Sequence, residues 1–409
     1  KMSVITCLKW VPKGYARSEP LMEEVTMNDI EDIKAAEGED LNMDTYDQEE
    51  AIPVFSNVEY EPQLDNIEDE EEEDNKINPD DAIIITGNQK GDFSEVHVFI
   101  YVENSGALYV HHDFFLTAYP LALEWLPYNP QTPNEAGNCL AVGSFMPEIE
   151  LWNLDIIDVL EPIGRLGGVK REKVSEGSSK KRKRTKTYTK GSHHDAVMAL
   201  DIHPTRKNIL ASGSADCKVK IWDIIEHDCK ITLSHHEGKV QSIEWNPTEE
   251  KILVSGGLDG SAFVVGVDSP DSSKQIRVPS EIEAVTWNPF NPLEFSLSTE
   301  DGFLYTYDAR NLGKPLYEVK AHNSQCTVAY SPGVPNLIGT ASVDKTVKIW
   351  HGEGLRGVAE RDMKVDSLFC LEFYKDSPFT LATGGTGGVL AIWDTEENQN
   401  VCNEFSRAK

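Results

Sequence analysis

The sequence predicts an all-β fold, a propeller of seven blades with four short strands each, from three observations. Short apolar strands that end in a bulky residue before a turn recur along the whole chain. These first marks are Trp10, Trp125, Ile202, Trp245, Trp287, Tyr330 and Phe373, with final steps of 43, 42, 43 and 43 residues. A second mark follows roughly 20 residues after most of them, in the same order: Tyr101, Trp152, Trp222, Val265, Tyr307, Trp350 and Trp393. No helical period separates the strand pairs, which excludes a β-α-β architecture, and a ~43-residue period is typical of WD-type blades.

The clearest unit is the hairpin Leu210–Asp223. Its first strand is Ile209–Ser212, the turn follows at Gly213–Asp216, and alternating residues then lead to Trp222. A hairpin of this size cannot bury its own faces, so it requires neighbouring strands on both sides.

The first blade is split by an acidic insertion, residues 13–81. Its strands are predicted at Val4–Trp10, Ala82–Gly87, Val96–Tyr101 and Ala107–His112. Between Glu19 and Asp81 there are 25 acidic and two basic residues, so the insertion is expected to be largely disordered within one propeller spanning 2–409. An acidic run at its centre is the candidate site for a basic partner: Glu68, Asp69, Glu70, Glu71, Glu72, Glu73 and Asp74.

The second blade is predicted from Tyr119 to about Asp158, and a basic insertion, residues 161–193, separates it from the third. Between Arg165 and Lys190 there are 11 basic and two acidic residues. Seven cations are the candidate residues for RNA binding and nuclear targeting: Lys180, Lys181, Arg182, Lys183, Arg184, Lys186 and Lys190. A solvated loop that binds nothing is the alternative.

The last five blades follow at regular spacing and end in a predicted outer strand at Val401–Phe405. Because all four strands of the first blade are predicted within its own segment, no terminal strand is left to complete it. The ring is therefore expected to close by packing between blades 1 and 7, without a shared blade.

Two blades contain the complete polar set that pins a turn in WD blades, since buried polar groups must be hydrogen-bonded. The predicted structural tetrads are His194, Ser212, Asp216 and Trp222 in blade 3, and His322, Thr340, Asp344 and Trp350 in blade 6. Blade 4 has Val265 at the Trp position, blade 5 lacks the His, and blade 7 has Gly387 at the Asp position. These three blades are expected to open more readily.

No catalytic, metal or cofactor site and no small-molecule substrate is predicted. Ser212 lies in a regular strand and not at a strained elbow, and Gly384–Gly388 lacks the Lys-Ser/Thr of a phosphate loop. The seven cysteines are scattered, which predicts reduced thiols in an intracellular protein. No apolar run reaches the ~18 residues of a membrane span, so no membrane partner is expected.

The regular tryptophans, the two placed insertions, the start SVITCLKWVPKG and the segment YDARN resemble the periodic tryptophan protein family. The resemblance implies a non-enzymatic factor of the nucleus and nucleolus. It implies a role in ribosome biogenesis and pre-rRNA processing, on large-subunit precursor RNA, ribosomal proteins and other assembly factors.

Two alternatives stay open. The acidic insertion suits a histone- or chromatin-binding propeller, and Tyr307-Asp308-Ala309-Arg310 resembles the WDxR box of ubiquitin-ligase substrate receptors. The acidic insertion itself has three interpretations: it masks the basic loop, attracts basic proteins, or keeps the chain soluble.

Overall fold

The computed structural model describes residues 3–22, 76–132, 135–170 and 187–405, and these residues are almost entirely β-strands. The first two blades and the connections between them contain β1 (Ser3–Val11), β2 (Leu21–Met22), β3 (Ala82–Lys90), β4 (Phe93–Val102), β5 (Ala107–Leu116), β6 (Pro120–Tyr128), β7 (Ala136–Ser144), β8 (Glu148–Asn153), β9 (Ile156–Ile157) and β10 (Gly164–Gly167). Blades 3 and 4 contain β11 (Val197–Ile202), β12 (Ile209–Ser214), β13 (Val219–Asp223), β14 (Asp228–Leu233), β15 (Val240–Trp245), β16 (Ile252–Gly257), β17 (Ser261–Gly266) and β18 (Lys274–Arg277).

Blades 5 to 7 complete the ring. They contain β19 (Ile282–Trp287), β20 (Glu294–Thr299), β21 (Phe303–Asp308), β22 (Tyr317–Lys320), β23 (Cys326–Tyr330), β24 (Leu337–Ser342), β25 (Thr346–His351), β26 (Arg356–Asp362), β27 (Leu368–Phe373), β28 (Thr380–Gly385) and β29 (Ala391–Asp394). One α-helix follows, α1 (Gln399–Phe405), with 3-10 turns at Pro270–Ser272 and Thr395–Glu397. None of these helical segments is long and apolar enough to cross a membrane.

The predicted seven-bladed propeller is confirmed. The blades are antiparallel sheets, and six of them have four strands: β1-β3-β4-β5, β6-β7-β8-β10, β11 to β14, β15 to β18, β19 to β22 and β23 to β26. Blade 7 has three, β27-β28-β29. Each innermost strand contacts the innermost strand of the next blade, and β27 contacts β1, so the ring is closed.

The turn between the second and third strands of a blade follows one rule in four blades. An Asp is followed by a residue with positive φ, which is Cys217 (63°) in blade 3, Gly260 (68°) in blade 4, Gly302 (82°) in blade 5 and Lys345 (74°) in blade 6. At Gly302 a Cβ would lie 2.4 Å from the carbonyl oxygen of His322, so only glycine fits there.

The ring closes as predicted, by packing. All four strands of blade 1 come from residues 3–116, and all three of blade 7 from residues 368–394. The backbone N–H of Trp10 donates to Oε2 of Glu372 (2.9 Å), and its ring stacks on Tyr374 with centroids 4.4 Å apart. An isolated β-bridge joins Val4 to Thr386.

Two predicted boundaries were wrong. Val401–Phe405 belongs to α1 and is not a strand: Val401 and Phe405 are buried one helical turn apart, whereas a strand would also direct polar Asn403 to the buried face. The predicted basic insertion also includes the outer strand of blade 2, because β10 pairs with β8 and buries Leu166 completely.

The tetrad of blade 6 forms as its residues suggest. Nε2 of His322 lies 2.8 Å from Oγ1 of Thr340, and Nδ1 lies 3.0 Å from Oδ2 of Asp344. The indole N–H of Trp350 donates to the same Thr340 hydroxyl at 2.9 Å. The hydroxyl therefore joins the ring nitrogen to the third strand.

In blade 3 the histidine of the tetrad is His193 and not His194. Nε2 of His193 lies 2.7 Å from Oγ of Ser212, which accepts from the indole N–H of Trp222 at 2.8 Å. Nδ1 of His193 lies 3.0 Å from Asp216. His194 is exposed and offers only its backbone N–H to Asp216, because the chain bends at His194 and Asp195 before β11 begins.

Burial acts on both ends of this network. It lowers the pKa of His193 against the opposing effect of Asp216, so the ring is neutral. Burial also opposes the charge of Asp216, but hydrogen bonds from His193 and the backbone lower the pKa of Asp216 to about 2.

The other blades hold less complete networks. In blade 4, His236 reaches Ser255 (2.8 Å) and Asp259 (3.4 Å), but Val265 offers no indole N–H. In blade 5, Ser296 bonds Tyr330 of the next blade (2.8 Å), with no histidine.

We predict that Ser212→Ala lowers the free energy of unfolding by roughly 1–3 kcal/mol, because it leaves the indole N–H of Trp222 and Nε2 of His193 buried without partners. Urea unfolding of the full chain measures this. Ser212→Thr is the matched control and should keep most of the stability, since Thr340 holds the same position in blade 6. Equal losses in both variants would contradict the role of the hydroxyl.

Hydrogen exchange tests the ranking of the blades. Backbone amides of β12 and β24, in the blades with complete tetrads, should exchange more slowly than those of β16, β20 and β28. Protection of β16, β20 and β28 equal to that of β12 and β24 would show that packing alone sets the opening free energy.

Candidate interaction surfaces

The two insertions emerge on opposite faces of the ring. We call one side of the ring the upper face. It carries the connections between blades and the turns between second and third strands. The lower face carries the other two kinds of connection. The acidic insertion joins the first two strands of blade 1 and is attached at the lower face, while the basic insertion joins blades 2 and 3 and is attached at the upper face. Six-residue strands separate the faces by roughly 20 Å.

The described ends of the acidic insertion, 13–22 and 76–81, form an ordered stem. The N–H of Ile77 donates to the carbonyl oxygen of Ser18 (3.0 Å), which ties the two ends together. Strand β2 pairs in parallel with β9 at the lower edge of blade 2. Arg17 lies 3.8 Å from Asp155, and the ring of Tyr15 meets that of Trp125 edge-on at 4.7 Å.

The basic insertion also begins and ends in a paired stem. Val169 forms a β-bridge with Tyr188, and the N–H of Lys170 donates to the carbonyl oxygen of Thr187 (2.7 Å). The ring of Tyr188 packs against His194 with centroids 4.6 Å apart. This stem fixes where residues 171–186 leave the upper face.

Most predicted binding residues lie outside the described residues. These are the acidic run Glu68–Asp74 and the cations Lys180, Lys181, Arg182, Lys183, Arg184 and Lys186. Lys190 is described, and it is exposed at the base of the basic stem.

A ring of charged residues lines the central channel near the lower face, in a cavity of about 550 Å³. Each of its members directly precedes one of the first marks. They are Lys9, Glu124, Asp201, Glu244 and Glu372, with Thr286 and Ala329 completing the ring.

These carboxylates link successive blades. Asp201 accepts from the backbone N–H of Trp245 (2.5 Å) and Glu244 from that of Trp287 (3.0 Å). Lys9 lies 2.9 Å from Glu124 and 3.2 Å from Glu372, so one cation serves two carboxylates.

Burial sets the charge balance of this ring. It raises the pKa of Asp201 well above its usual value and that of Glu244 to about 7, and it also raises the pKa of Glu372. For Lys9, burial favours the neutral form, but Glu124 and Glu372 outweigh it and raise the pKa of the ammonium group. Four carboxylates therefore share one cation at the lower mouth of the channel, and burial favours the protonated forms of Asp201, Glu244 and Glu372.

Sequence reasoning missed this ring, although a signal was present. Acidic residues precede the mark in LEW, LDI, IEW and LEF, at a position that points opposite to the packed aromatic.

The YDAR segment, Tyr307–Arg310, contains an internal ion pair. Arg310 makes a 2.7 Å ion pair with Asp308 two residues earlier, while 69% of the Arg310 side chain stays exposed. This geometry pins the turn after β21.

We predict that Lys9→Met destabilises the full chain by about 3 kcal/mol at pH 8, because it leaves Glu124 and Glu372 without their cation. Lys9 lowers the pKa of both Glu244 and Glu372, so without it the anionic forms of these carboxylates cost more at pH 8, and this added cost fades as they are protonated toward pH 4.5. The difference from wild type should therefore shrink between pH 8 and pH 5, as followed by urea unfolding.

Glu244→Gln is the matched control. It removes one of the crowded charges, so it should raise stability at pH 8 and reduce its rise toward pH 5, by an amount on the order of 1–3 kcal/mol. Loss of stability at pH 8 would show that the channel carboxylates are stabilising as anions.

Comparison with known proteins agrees with the architecture. The family model "WD domain, G-beta repeat" matches residues 183–223, 227–264 and 313–351. An uncharacterized WD repeat-containing protein of Schizosaccharomyces pombe is 36% identical over 390 residues, which is 89% of this chain and 75% of that protein.

Two further relatives carry a family name. Periodic tryptophan protein 1 homolog of Drosophila melanogaster is 33% identical over 330 residues, 78% of this chain and 69% of its own length. Periodic tryptophan protein 1 of Saccharomyces cerevisiae is 29% identical over 394 residues, 84% and 68% of the two chains. The chain belongs to the periodic tryptophan protein 1 family of WD-repeat proteins.

Proposed function

We propose that this protein is a non-enzymatic scaffold of ribosome assembly. It works in the nucleus and nucleolus on large-subunit precursors during pre-rRNA processing, and it binds precursor RNA on one face and basic proteins on the other. Its family membership and its propeller fold support a scaffold role. One observation supports the proposal of two binding faces: the oppositely charged insertions are attached to opposite faces of the ring.

The upper face is the proposed RNA side. The basic insertion places seven cations within eleven residues, and its stem leaves blade 2 beside exposed Lys190. Contacts of this kind bind phosphates and do not read sequence, so affinity should fall steeply with salt.

The lower face is the proposed side for basic ribosomal proteins. The acidic insertion leaves from it, and the carboxylate-lined channel opens toward it. The same charge favours histones as a second partner, which keeps chromatin binding as the second candidate function.

The distance between the two faces is relevant to the question of whether the acidic insertion masks the basic loop. Exposed charges are largely screened beyond a Debye length of about 8 Å at physiological salt, whereas the faces lie roughly 20 Å apart. The two insertions are therefore proposed to act independently.

RNA binding by the full chain tests this proposal. Replacing the seven cations with serine should lower affinity for single-stranded RNA and reduce the slope of log K against log salt by up to roughly 5. Neutralising Glu68–Asp74 should leave both unchanged. Unaltered RNA binding in the cation variant would contradict the proposed RNA face, and tighter binding in the acidic variant would show masking.

Sedimentation of the tagged protein through a sucrose gradient tests the cellular assignment. Co-migration with large-subunit precursors is the expected result. Co-migration with nucleosomes would favour the chromatin function, and co-migration with a cullin complex would favour a ubiquitin-ligase receptor.

A further inference from the structure

One group of potential metal ligands lies on blade 1, away from both insertions. Glu95 and His97 are two residues apart on β4, so their side chains leave the same face of the sheet. Asp113 on β5 is the direct cross-strand partner of His97. One ligand atom from each residue lies within 4.8 Å of the other two, and Nε2 of His97 lies 3.0 Å from Oε2 of Glu95.

The sheet fixes the backbone positions of these three residues. β4 pairs along its whole length with β3 on one side and β5 on the other. The opposite face of β4 is fixed by Val96, Val98 and Ile100, which are buried against blade 2. A ligand set on such a sheet loses little conformational entropy when it binds an ion.

This face is open because of the missing strand in blade 7. Phe99 and Tyr101, on the same face as His97, pack against an apolar cluster that joins blade 1 to Ala382 and Leu390 of blade 7. That blade ends at its third strand, and no described strand covers the part of β4 and β5 that carries Glu95, His97 and Asp113.

Charge and surroundings also suit a cation. Among the ion pairs of the described residues, none brings a lysine or arginine to Glu95 or Asp113; His97 is the sole basic partner. Phe115 lies opposite Glu95 in the register, and Phe99 lies beside His97 with ring centroids 5.9 Å apart.

We propose that Glu95, His97 and Asp113 form a binding site for one divalent transition-metal ion, best suited to Zn²⁺. One imidazole nitrogen and two carboxylate oxygens are ligands that Zn²⁺ takes at roughly 2.0–2.2 Å, which places ligand atoms about 3.3 Å apart in a tetrahedron. Small side-chain rotations bring the three atoms to that spacing. The ion neutralises both carboxylates and leaves its fourth position toward solvent, where a partner protein can supply a ligand.

The experiment measures Zn²⁺ binding to the full chain by calorimetry, and absorption of bound Co²⁺ as a report on ligand geometry. His97→Ala and Asp113→Asn should weaken the site at least about tenfold and abolish the Co²⁺ spectrum. Asp92→Asn is the matched control, because Asp92 is exposed in the adjacent turn and outside the ligand set, and it should bind as wild type does. This control separates the site from diffuse binding by the acidic insertion.

Thermal unfolding provides a second readout. Zn²⁺ should raise the melting temperature of wild type and Asp92→Asn but not that of His97→Ala, and Glu95→Gln substitutes for His97→Ala if that variant does not fold. The proposal is overturned if His97→Ala binds as many Zn²⁺ ions as tightly as wild type. It is also overturned if equimolar Mg²⁺ displaces the ion, since a hard cation does not require the imidazole.

Discussion

Every blade depends on large side chains that fill the wedge-shaped gap between its sheet and the next. Sheets arranged around one axis diverge outward, so the gap between neighbours widens and must be occupied by large side chains. Trp152, Trp222 and Trp287 are almost fully buried in these gaps, and Trp222 lies in one apolar cluster with Ile149 and Leu166 of the preceding blade. Such close packing explains why the aromatic period is so strict and why the polar networks can vary from blade to blade.

The need to fill this gap also explains which parts of the fold could be predicted from the sequence. The marks that fill it recur every 42 or 43 residues from blade 3 onward and are still recognisable in the first two blades, so the number of blades follows from the sequence. The outer elements do not fill it, and there the predictions failed: β10 lies inside the expected basic insertion, and α1 stands where a strand was expected. Short outer segments carry too few apolar residues to distinguish a period of 2 from one of 3.6.

The candidate sites show the same division. The sequence alone does not show whether His193 or His194 faces Ser212, because the two residues are adjacent and both precede the innermost strand of blade 3. The Glu95–His97–Asp113 group depends on the register of β4 against β5, which spans a cross-strand pair and forms no linear motif. The channel carboxylates, in contrast, were readable, since they occupy one fixed position relative to each mark.

The opposite attachment of the insertions gives the molecule a direction. With −31 overall, it is repelled by a polyanion at a distance. Residues 165–190 carry a net charge of +9 and are attached at the upper face, whereas residues 19–81 carry a net charge of −23 and are attached at the lower face. In the proposed function, an RNA bound at the upper attachment point would lie beyond a Debye length of about 8 Å from the lower one, so occupancy of one face would leave the electrostatics of the other unchanged. Two partners of opposite charge would then be able to occupy the same ring at the same time.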